Sequence, residues 1–269
     1  MKIDMKVVQI LPLKNQVFRV FLQALPALIF RKERQDSERE SAKVRNPVSE
    51  TNAEDLGAFS YVAGQYLEVV LSDRNVPLSI ANAEFKNEAK DLPIIELHVR
   101  HTPGHTISDA LIKAFQESYQ TAHKIKVQLP FGHSTIECLS PTRPTILVAR
   151  GTGFSPIKAI IEAMIQKKWS SPVHLYWGVR LSDDYYLQEL LEQWMNLKEK
   201  GVFDFSYTPL VSPEDTDTLI DAVIKNYKDL SSYQIIAAGP FDLMFKARDI
   251  WCAYGLKREH MYSDAFLGE

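Results

Sequence analysis

The 269 residues are 45% hydrophobic and 24% charged, an ordinary globular composition with enough material for two compact domains. The formal net charge of -3 leaves no basic excess, which argues against nucleic acid or an anionic membrane surface as a partner. Two cysteines, Cys138 and Cys252, are too few for a disulfide framework or for the four thiolates of an iron–sulfur cluster.

The sequence holds no run of about twenty apolar residues, and its first ten residues, MKIDMKVVQI, interleave charged with apolar positions. It therefore lacks the apolar core of a signal peptide or of a membrane span. We expect a soluble, unprocessed protein with no membrane partner, and the low cysteine content fits the reducing cytoplasm.

The first half of the chain is rich in predicted β-strands. Apolar positions alternate in short runs between residues 3 and 24, which predicts a pair of strands. Ile107 and Leu111 lie at helical spacing after Thr106, a residue type that caps helices, so one helix interrupts the later strands. Four further β-rich runs span 63–71, 76–81, 94–99 and 124–129. This pattern predicts a small antiparallel β-barrel domain over residues 1–140.

A charged segment interrupts this first domain. Residues 31–55 hold thirteen charged side chains and, apart from alanine, only Val44 and Val48 to bury. Such a composition predicts an exposed, partly disordered insertion at about 31–58. The alternative is a solvated helix of mixed charge, although no apolar face would hold that helix against a core.

Beyond Pro144 short apolar strands alternate with amphipathic helices. The predicted strands cover 145–149, 174–178, 203–207 and 233–238, and the predicted helices start at Pro156 or cover 186–197, 219–227 and 241–254. This alternation predicts a doubly wound parallel α/β sheet over residues 141–269. The domain boundary is expected at the SPTRP segment, near residues 139–144.

The strand at 145–149 runs into a glycine turn and then a helix, in TILVARGTGFSPIKAIIEAMI. Ser155 is a typical helix cap, and Pro156 suits the first helical position. Gly151 and Gly153 allow the backbone to approach a ligand, and the positive end of the helix dipole favours a pyrophosphate. The turn lacks the full G-x-G-x-x-G fingerprint and its ribose-binding acid, so a turn without a ligand is the alternative.

Two more glycines follow later strands of the predicted sheet. Gly178 ends the run HLYWG, and Gly239 follows the strand at 233–238. Because the carboxyl ends of parallel strands share one edge of a sheet, we expect both glycines to line one crevice with Gly151, where a dinucleotide would lie. Arg180 stands beside this edge and is expected to pair with a phosphate.

Seven short motifs follow one another along the chain. They are AGQYL at 63–67, PLSIA at 77–81, IELHV at 95–99, GTGFSP at 151–156, YWGVR at 176–180, AAGPF at 237–241 and SDAF at 263–266. In their order and spacing they resemble the ferredoxin-NADP reductase superfamily, and most of all the bacterial NAD(P)H-flavin reductases. The resemblance implies a flavin-binding β-barrel, an NAD(P)H-binding α/β domain and hydride transfer across the cleft between them.

The resemblance also implies roles for single residues. Ser79 resembles a serine whose hydroxyl lies near flavin N5, where the hydride arrives, and is the expected catalytic residue. Pro77 and Leu78 are expected to position the flavin ring, and His98 and Val99 to contact it through their backbone. The cofactor-binding residues expected in the second domain are Gly151, Thr152, Gly153, Phe154, Ser155, Gly178, Arg180, Gly239, Pro240 and Phe241.

Three departures from the family pattern bear on flavin binding. Val76 stands where the family usually has an arginine, and Leu78 where it usually has an aromatic residue. One phosphate contact and one ring contact are therefore missing, which argues against a tightly held phosphate-bearing flavin. Riboflavin, FMN or FAD as a diffusing substrate, held mainly by its ring, is compatible with this pattern. Arg150 replaces a glycine before the turn, where it would either crowd the site or add a phosphate contact.

Three histidines close together raise the question of a metal site. His98, His101 and His105 match no zinc spacing, and Pro103 and Gly104 interrupt their segment. We therefore expect no metal and interpret them as solvated loop histidines, with His98 alternatively beside the flavin.

The leading hypothesis is an NAD(P)H-dependent flavin reductase that passes a hydride to flavin N5 and releases reduced flavin to a downstream flavin-using enzyme. One alternative is a flavoprotein reductase component that forwards electrons to a partner oxygenase or a ferric complex. Another is a catalytically degenerate interaction module that acts through the charged insertion. Hydride transfer requires no acid–base residue of the protein, and the sequence leaves NADH against NADPH open.

Overall fold

The structure, a computed structural model, describes residues 1–25, 60–84, 93–212 and 217–267. The predicted charged insertion at about 31–58 lies outside the described residues. The first domain comprises β1 (Lys2–Pro12), β2 (Val17–Ala24), β3 (Tyr66–Val70), β4 (Asn75–Ser79), β5 (Ile94–Arg100), α1 (Thr106–Thr121) and β6 (Ile125–Phe131). The second comprises β7 (Thr145–Arg150), α2 (Phe154–Gln166), β8 (Val173–Val179), α3 (Gln188–Glu199), β9 (Phe205–Val211), α4 (Asp217–Asn226), β10 (Gln234–Ala238), α5 (Phe241–Ala253) and β11 (Met261–Tyr262). Within these ranges no helix is both long and apolar enough to cross a membrane.

The six-stranded first sheet closes into a barrel, which confirms the predicted fold of this half. Its strands follow the order β4-β3-β6-β1-β2-β5 and pair antiparallel. A bridge between Ile80 and Leu97 joins the two edge strands, and the Ala81 N–H beside it donates to Glu96 O at 2.8 Å. Inward-facing side chains such as Met5 are fully buried. The end of β4 is therefore held from both sides.

Helix α1 packs against β1 and buries Leu111 and Phe115. Its predicted cap at Thr106 is wrong, because Thr106 is already helical. The imidazole of His105 instead accepts a hydrogen bond from the Ser108 N–H at 3.5 Å. The cap lies one residue earlier than the residue type suggested.

The five-stranded second sheet is parallel and doubly wound, as predicted, in the order β11-β10-β7-β8-β9. Side chains of the central strand β7 alternate between two apolar clusters. Leu147 packs in the cluster formed by α2 and α3, and Ile146 in the cluster formed by α4 and α5. Because both faces are covered, β7 is apolar along nearly its whole length.

Helix α2 begins at Phe154, two residues before the predicted start. A 3₁₀ turn over Gly151–Gly153 already winds the chain into the helix, with glycine at the cap position and no side-chain cap. Ser155 lies inside the first turn, where its Oγ donates to Thr152 O at 2.9 Å. The predictions of Ser155 as the cap and of Pro156 as the first helical residue are therefore wrong.

The two domains share an apolar core and a polar tie. Val17 and Ala83 of the barrel pack in the same cluster as the buried side chains of α2. The Asp264 Oδ1 atom, near the C-terminal end of the described chain, accepts from the N–H groups of His133 and Ser134 at 3.1 and 3.0 Å. These contacts fix the walls of the cleft that lies between the domains.

Candidate active site

A cleft of about 680 Å³ lies between the barrel and the second domain. This volume falls within the usual range for small-molecule sites. The cleft has three walls. They are formed by Tyr66, Pro77, Leu78, Ser79 and His98 of the barrel, by Arg150, Thr152, Gly153, Ser155, Gly239, Pro240 and Phe241 of the second domain, and by Ser263, Asp264, Ala265 and Leu267 of the C-terminal segment.

Ser79 is the last residue of β4 and faces the cleft from the barrel side. Its register partner is Tyr66 in β3, and the next residue, Ile80, donates its N–H to Gln65 O at 3.0 Å. Within the described part of the chain no hydrogen bond engages the Ser79 hydroxyl. A hydroxyl on a rigid strand end, available to a ligand, is what the predicted role requires.

His98 lies on β5 and is buried, so its interpretation as a solvated loop histidine is wrong. Its Nε2 lies 2.8 Å from Glu96 Oε1 and its Nδ1 lies 3.2 Å from the hydroxyl of Tyr186. Burial lowers the pKa of His98, although the Glu96 carboxylate opposes that shift. Both ring nitrogens are engaged, so His98 presents its ring to the cleft wall rather than a free proton donor.

The other two histidines have structural partners. His101 Nε2 lies 2.7 Å from Asp109 Oδ1, and His105 caps α1. Among the residues that the structure describes, no three His, Cys, Asp or Glu side chains gather closely enough to hold a metal ion.

The glycine turn that follows β7 packs closely against the end of the neighbouring strand β10. A Cβ atom added at Gly153 would overlap the carbonyl oxygen of Ala238, the last residue of β10. Gly151 has a left-handed backbone with φ 56, and an added Cβ there would meet nothing within 4 Å. The turn is therefore tightly packed on the Gly153 side and open on the Gly151 side, which leaves room for a ligand against its backbone.

Arg150 binds the protein rather than standing free in the cleft. Its Nη1 and Nη2 donate to Val179 O and Ser212 O, both at 2.9 Å. The side chain also passes over Gly178, where an added Cβ would lie 3.2 Å from Nη1. Burial lowers the pKa of Arg150, and the charge of Arg180 acts in the same direction. Arg150 thus caps strand-end carbonyls while lining the cleft.

The structure places most of the predicted site residues around one cleft. Those that line it are Pro77, Leu78, Ser79, His98, Thr152, Gly153, Ser155, Gly239, Pro240 and Phe241. Those that do not line it are Val99, Gly151, Phe154, Gly178 and Arg180. Val99 belongs to the barrel core, and Phe154 is fully buried with its ring stacked 4.0 Å from that of Trp177. Both of these side chains serve packing.

Sequence reasoning missed two cleft residues that its own motifs contained. Tyr66, in AGQYL, stacks on Phe131 with ring centroids 5.4 Å apart. Asp264, in SDAF, ties the C-terminal segment to the barrel. The pairing of β3 with β4 would have identified Tyr66, because Tyr66 lies opposite Ser79 in that pair.

Comparison with known proteins agrees with this geometry. Residues 147–249 match the family described as the oxidoreductase NAD-binding domain. A probable flavin reductase from Photobacterium leiognathi is 34% identical over 224 residues, which are 77% of this chain and 87% of that protein. The chain belongs to the flavin reductases. An NAD(P)H-flavin reductase from Vibrio harveyi is 28% identical to this flavin reductase over 214 residues, 77% of this chain and 86% of that protein.

In other relatives the match covers a smaller share of the protein. A CDP-6-deoxy-L-threo-D-glycero-4-hexulose-3-dehydrase reductase from Yersinia pestis is 29% identical over 215 residues, and the match spans only 60% of that protein. Among solved structures, the Amycolatopsis cytochrome P450 reductase GcoB aligns with a TM-score of 0.69 at 18% identity, covering 97% of this chain and 68% of that one. At this identity the structural likeness shows the two-domain fold alone.

The cleft of this flavin reductase suits a flat ring system beside an anionic dinucleotide. Pro77 and Leu78 offer apolar contacts to a ring. Thr152 and Gly153 line the cleft in the turn that leads into α2, where backbone N–H groups favour phosphate. Among the described residues that line the cleft, Asp264 alone is acidic, and two backbone N–H groups hold its carboxylate. The residues present therefore fit both ligands.

Proposed function

We propose that this enzyme oxidises NAD(P)H and passes the hydride to N5 of a flavin that binds as a substrate and leaves reduced. The observation that carries the proposal is the cleft itself. Its barrel wall holds the Ser79 hydroxyl, and its opposite wall holds the glycine turn and the Gly239 segment. A hydride donor and a hydride acceptor can therefore lie side by side, each against its own domain.

Each wall has its own task in this proposal. Ser79 donates a hydrogen bond that steadies the accepting nitrogen, while Pro77 and Leu78 flank the flavin ring. The turn at Gly151–Gly153 and the start of α2 hold the pyrophosphate of the dinucleotide. Gly239 and Pro240, directly after β10, line the cleft and form the wall against which the nicotinamide lies beside the flavin.

The protein supplies positioning and exclusion of water rather than acid–base catalysis. The hydride carries two electrons from nicotinamide C4 to flavin N5, and solvent provides the proton that completes the reduction. Burial lowers the pKa of His98, both of its ring nitrogens are bonded, and Asp264 is held by backbone N–H groups. Neither residue is needed to move a proton, in keeping with a reaction whose chemistry belongs to its two substrates.

Release of the flavin after reduction follows from two features that β4 lacks, a charged side chain at Val76 and an aromatic ring at Leu78. Val76 packs against the barrel core opposite Val69 and brings no charge to a flavin phosphate. Leu78 offers a smaller apolar contact than an aromatic ring would. The flavin is therefore held mainly by its ring, and riboflavin, FMN and FAD should all serve as acceptors. Reduced flavin released in this way would supply a downstream flavin-using enzyme.

The test is NADH and NADPH oxidation by the purified protein, alone and with riboflavin, FMN or FAD. We expect turnover that depends on added flavin, saturates with it and differs little between the three acceptors. A yellow protein that turns over only with an added electron-accepting protein or ferric complex would favour the reductase component. A folded protein that is inert with every pair would favour the non-catalytic interaction module.

A further inference from the structure

A lysine of the second domain is buried against the barrel. Lys158, on α2, is only 1% exposed, and its Nζ donates to Ala81 O at 2.9 Å. It also bonds Glu96 Oε2 at 3.1 Å and Glu162 Oε1 at 2.7 Å. A buried ammonium is costly unless its donors are used, and here three acceptors surround it.

Glu162 completes the contact one helical turn later. Its Oε2 accepts the Ala83 N–H at 3.2 Å while its Oε1 binds Lys158. The two side chains of α2 thus take the carbonyl of residue 81 and the N–H of residue 83, as the backbone of a neighbouring strand would. We call Lys158 and Glu162 the α2 clamp.

The α2 clamp joins the two halves of the cleft through very few residues. Ala81 lies two positions after Ser79, and its N–H is already fixed by Glu96 O at 2.8 Å. Lys158 lies five positions after Gly153, on the helix that starts at the glycine turn. A single rigid helix therefore connects the proposed dinucleotide cradle to the strand end that carries Ser79.

Charge gives this contact a specificity that apolar packing lacks. Apolar side chains of α2 are stabilised over a range of positions against the barrel, whereas the Lys158 ammonium is stabilised only where the two barrel acceptors, Ala81 O and Glu96 Oε2, meet it. Glu96 remains compensated on its other side, because Arg19 binds it through Nε and Nη2 at 2.7 and 3.0 Å. Loss of Lys158 therefore leaves a carboxylate that still has a cationic partner.

We propose that Lys158 and Glu162 are positioning residues for hydride transfer, which set the distance between the dinucleotide cradle and Ser79. The inference rests on the proposed function. It assigns the α2 clamp a role in the rate of the chemical step, beyond the cohesion of the two domains. Misplacement of reacting groups by about 1 Å can cost roughly a hundredfold in rate, so a small shift of α2 is measurable.

The experiment compares Lys158→Met with Lys167→Met. Lys167 also joins the end of α2 to the barrel, through Glu84 at 2.8 Å, but its side chain is 48% exposed and its ammonium binds a carboxylate rather than the backbone of residues 81–83. Stopped-flow single turnovers with saturating riboflavin would use the dinucleotide that the wild type oxidises, protiated or deuterated at C4. Dissociation constants for the dinucleotide would be measured separately.

We expect Lys158→Met to lower the hydride-transfer rate about tenfold or more, with a primary isotope effect fully expressed and the dissociation constant changed less than about twofold. Lys167→Met should stay within about twofold of the wild type in both quantities. Glu162→Gln keeps an acceptor for the Ala83 N–H and should retain more of the rate than Glu162→Leu.

Wild-type hydride transfer in a folded but less stable Lys158→Met variant would overturn the inference, since the α2 clamp would then be structural only. If Lys158→Met does not fold, the two variants of the half-buried Glu162 provide the test. Equal hydride-transfer rates in Glu162→Gln and Glu162→Leu would overturn the inference. An inactive wild type would instead refute the proposed function. The two failures are thus distinguishable.

Discussion

Ser79 offers its hydroxyl from the end of a strand that is held on both sides. Tyr66 pairs with it, and the bridge between Ile80 and Leu97 anchors the next residue. We expect Ser79→Ala to lower kcat for flavin reduction about 10- to 100-fold, because a hydrogen bond that steadies the accepting atom in the transition state contributes roughly 1.5–3 kcal/mol. Steady-state kinetics gives kcat, and circular dichroism should show an unchanged fold.

A serine outside the cleft provides the reference for that measurement. Ser170 is exposed and its Oγ donates to Pro141 O at 2.8 Å on the surface. Ser170→Ala should leave kcat unchanged within about twofold, since surface substitutions away from the site have small effects. Turnover of Ser79→Ala equal to that of Ser170→Ala would remove Ser79 from the mechanism.

The element between β7 and α2 is a turn whose two glycines differ in their surroundings. Gly153→Ala would drive a Cβ into the backbone of Ala238, which cannot yield cheaply, so we expect a loss of about 1–3 kcal/mol in stability. Gly151→Ala meets open space with φ 56 and should cost only about 1 kcal/mol. Its methyl group would instead enter the open space beside the turn that we propose to hold the pyrophosphate, and should raise KM for NAD(P)H about tenfold, the equivalent of about 1.4 kcal/mol. Urea unfolding and steady-state kinetics separate the two effects, and equal losses of stability would contradict this account.

For the secondary-structure elements, the periodicity of apolar residues predicted the strands, the helices and their order. Burial of one face imposes a period of two on strands and of 3.6 on helices, and both periods survive in a single sequence. Helix starts were harder to predict. α3 begins at Gln188 rather than at residue 186, because Leu187 takes a left-handed backbone with φ 54 that apolar spacing does not reveal.

Cleft residues that belong to short sequence motifs could be predicted, whereas residues whose role depends on long-range contacts could not. Ser79 and Gly239 come from short runs of sequence, and both line the cleft. Lys158 and Glu162 had a weaker local signal, an opposite-charge pair four residues apart in an otherwise apolar helix. The carbonyl that accepts from Lys158 belongs to Ala81, 77 positions away, and the N–H that donates to Glu162 belongs to Ala83, 79 positions away. Only the folded chain brings these groups together.

For the whole molecule, one buried charge network connects the domains. Glu96 of the barrel binds Arg19 and His98 from its own domain and Lys158 from the other. Tyr186 of the second domain completes the network through His98 at 3.2 Å. Ionisation of this one carboxylate therefore contributes to the docking of the two domains, beside the apolar core and the Asp264 contacts.

This dependence predicts that the molecule loses stability in acid. Burial alone would raise the pKa of Glu96, but hydrogen bonds from His98 and Arg19 and the charge of Lys158 lower it far below 4.5. Burial lowers the pKa of His98 below 6.5. In both cases the unfolded chain binds a proton that the folded chain does not, so stability is full above the unfolded pKa values and falls as pH drops. The loss should begin below about pH 6.5 through His98 and continue below about pH 4.5 through Glu96.

Urea unfolding from pH 7.5 to pH 3.5 measures this loss, which each group can contribute at no more than about 1.4 kcal/mol per pH unit. Glu96→Gln should be less stable at pH 7.5, because Lys158 and Arg19 lose their buried partner, and should show a shallower decline below pH 4.5. Asp109→Asn is the matched control, since Asp109 pairs with His101 at the surface and its carboxylate is 44% exposed. A Glu96→Gln variant with the wild-type slope below pH 4.5 would show that acid acts elsewhere, and the network would then hold the domains without governing their response to pH.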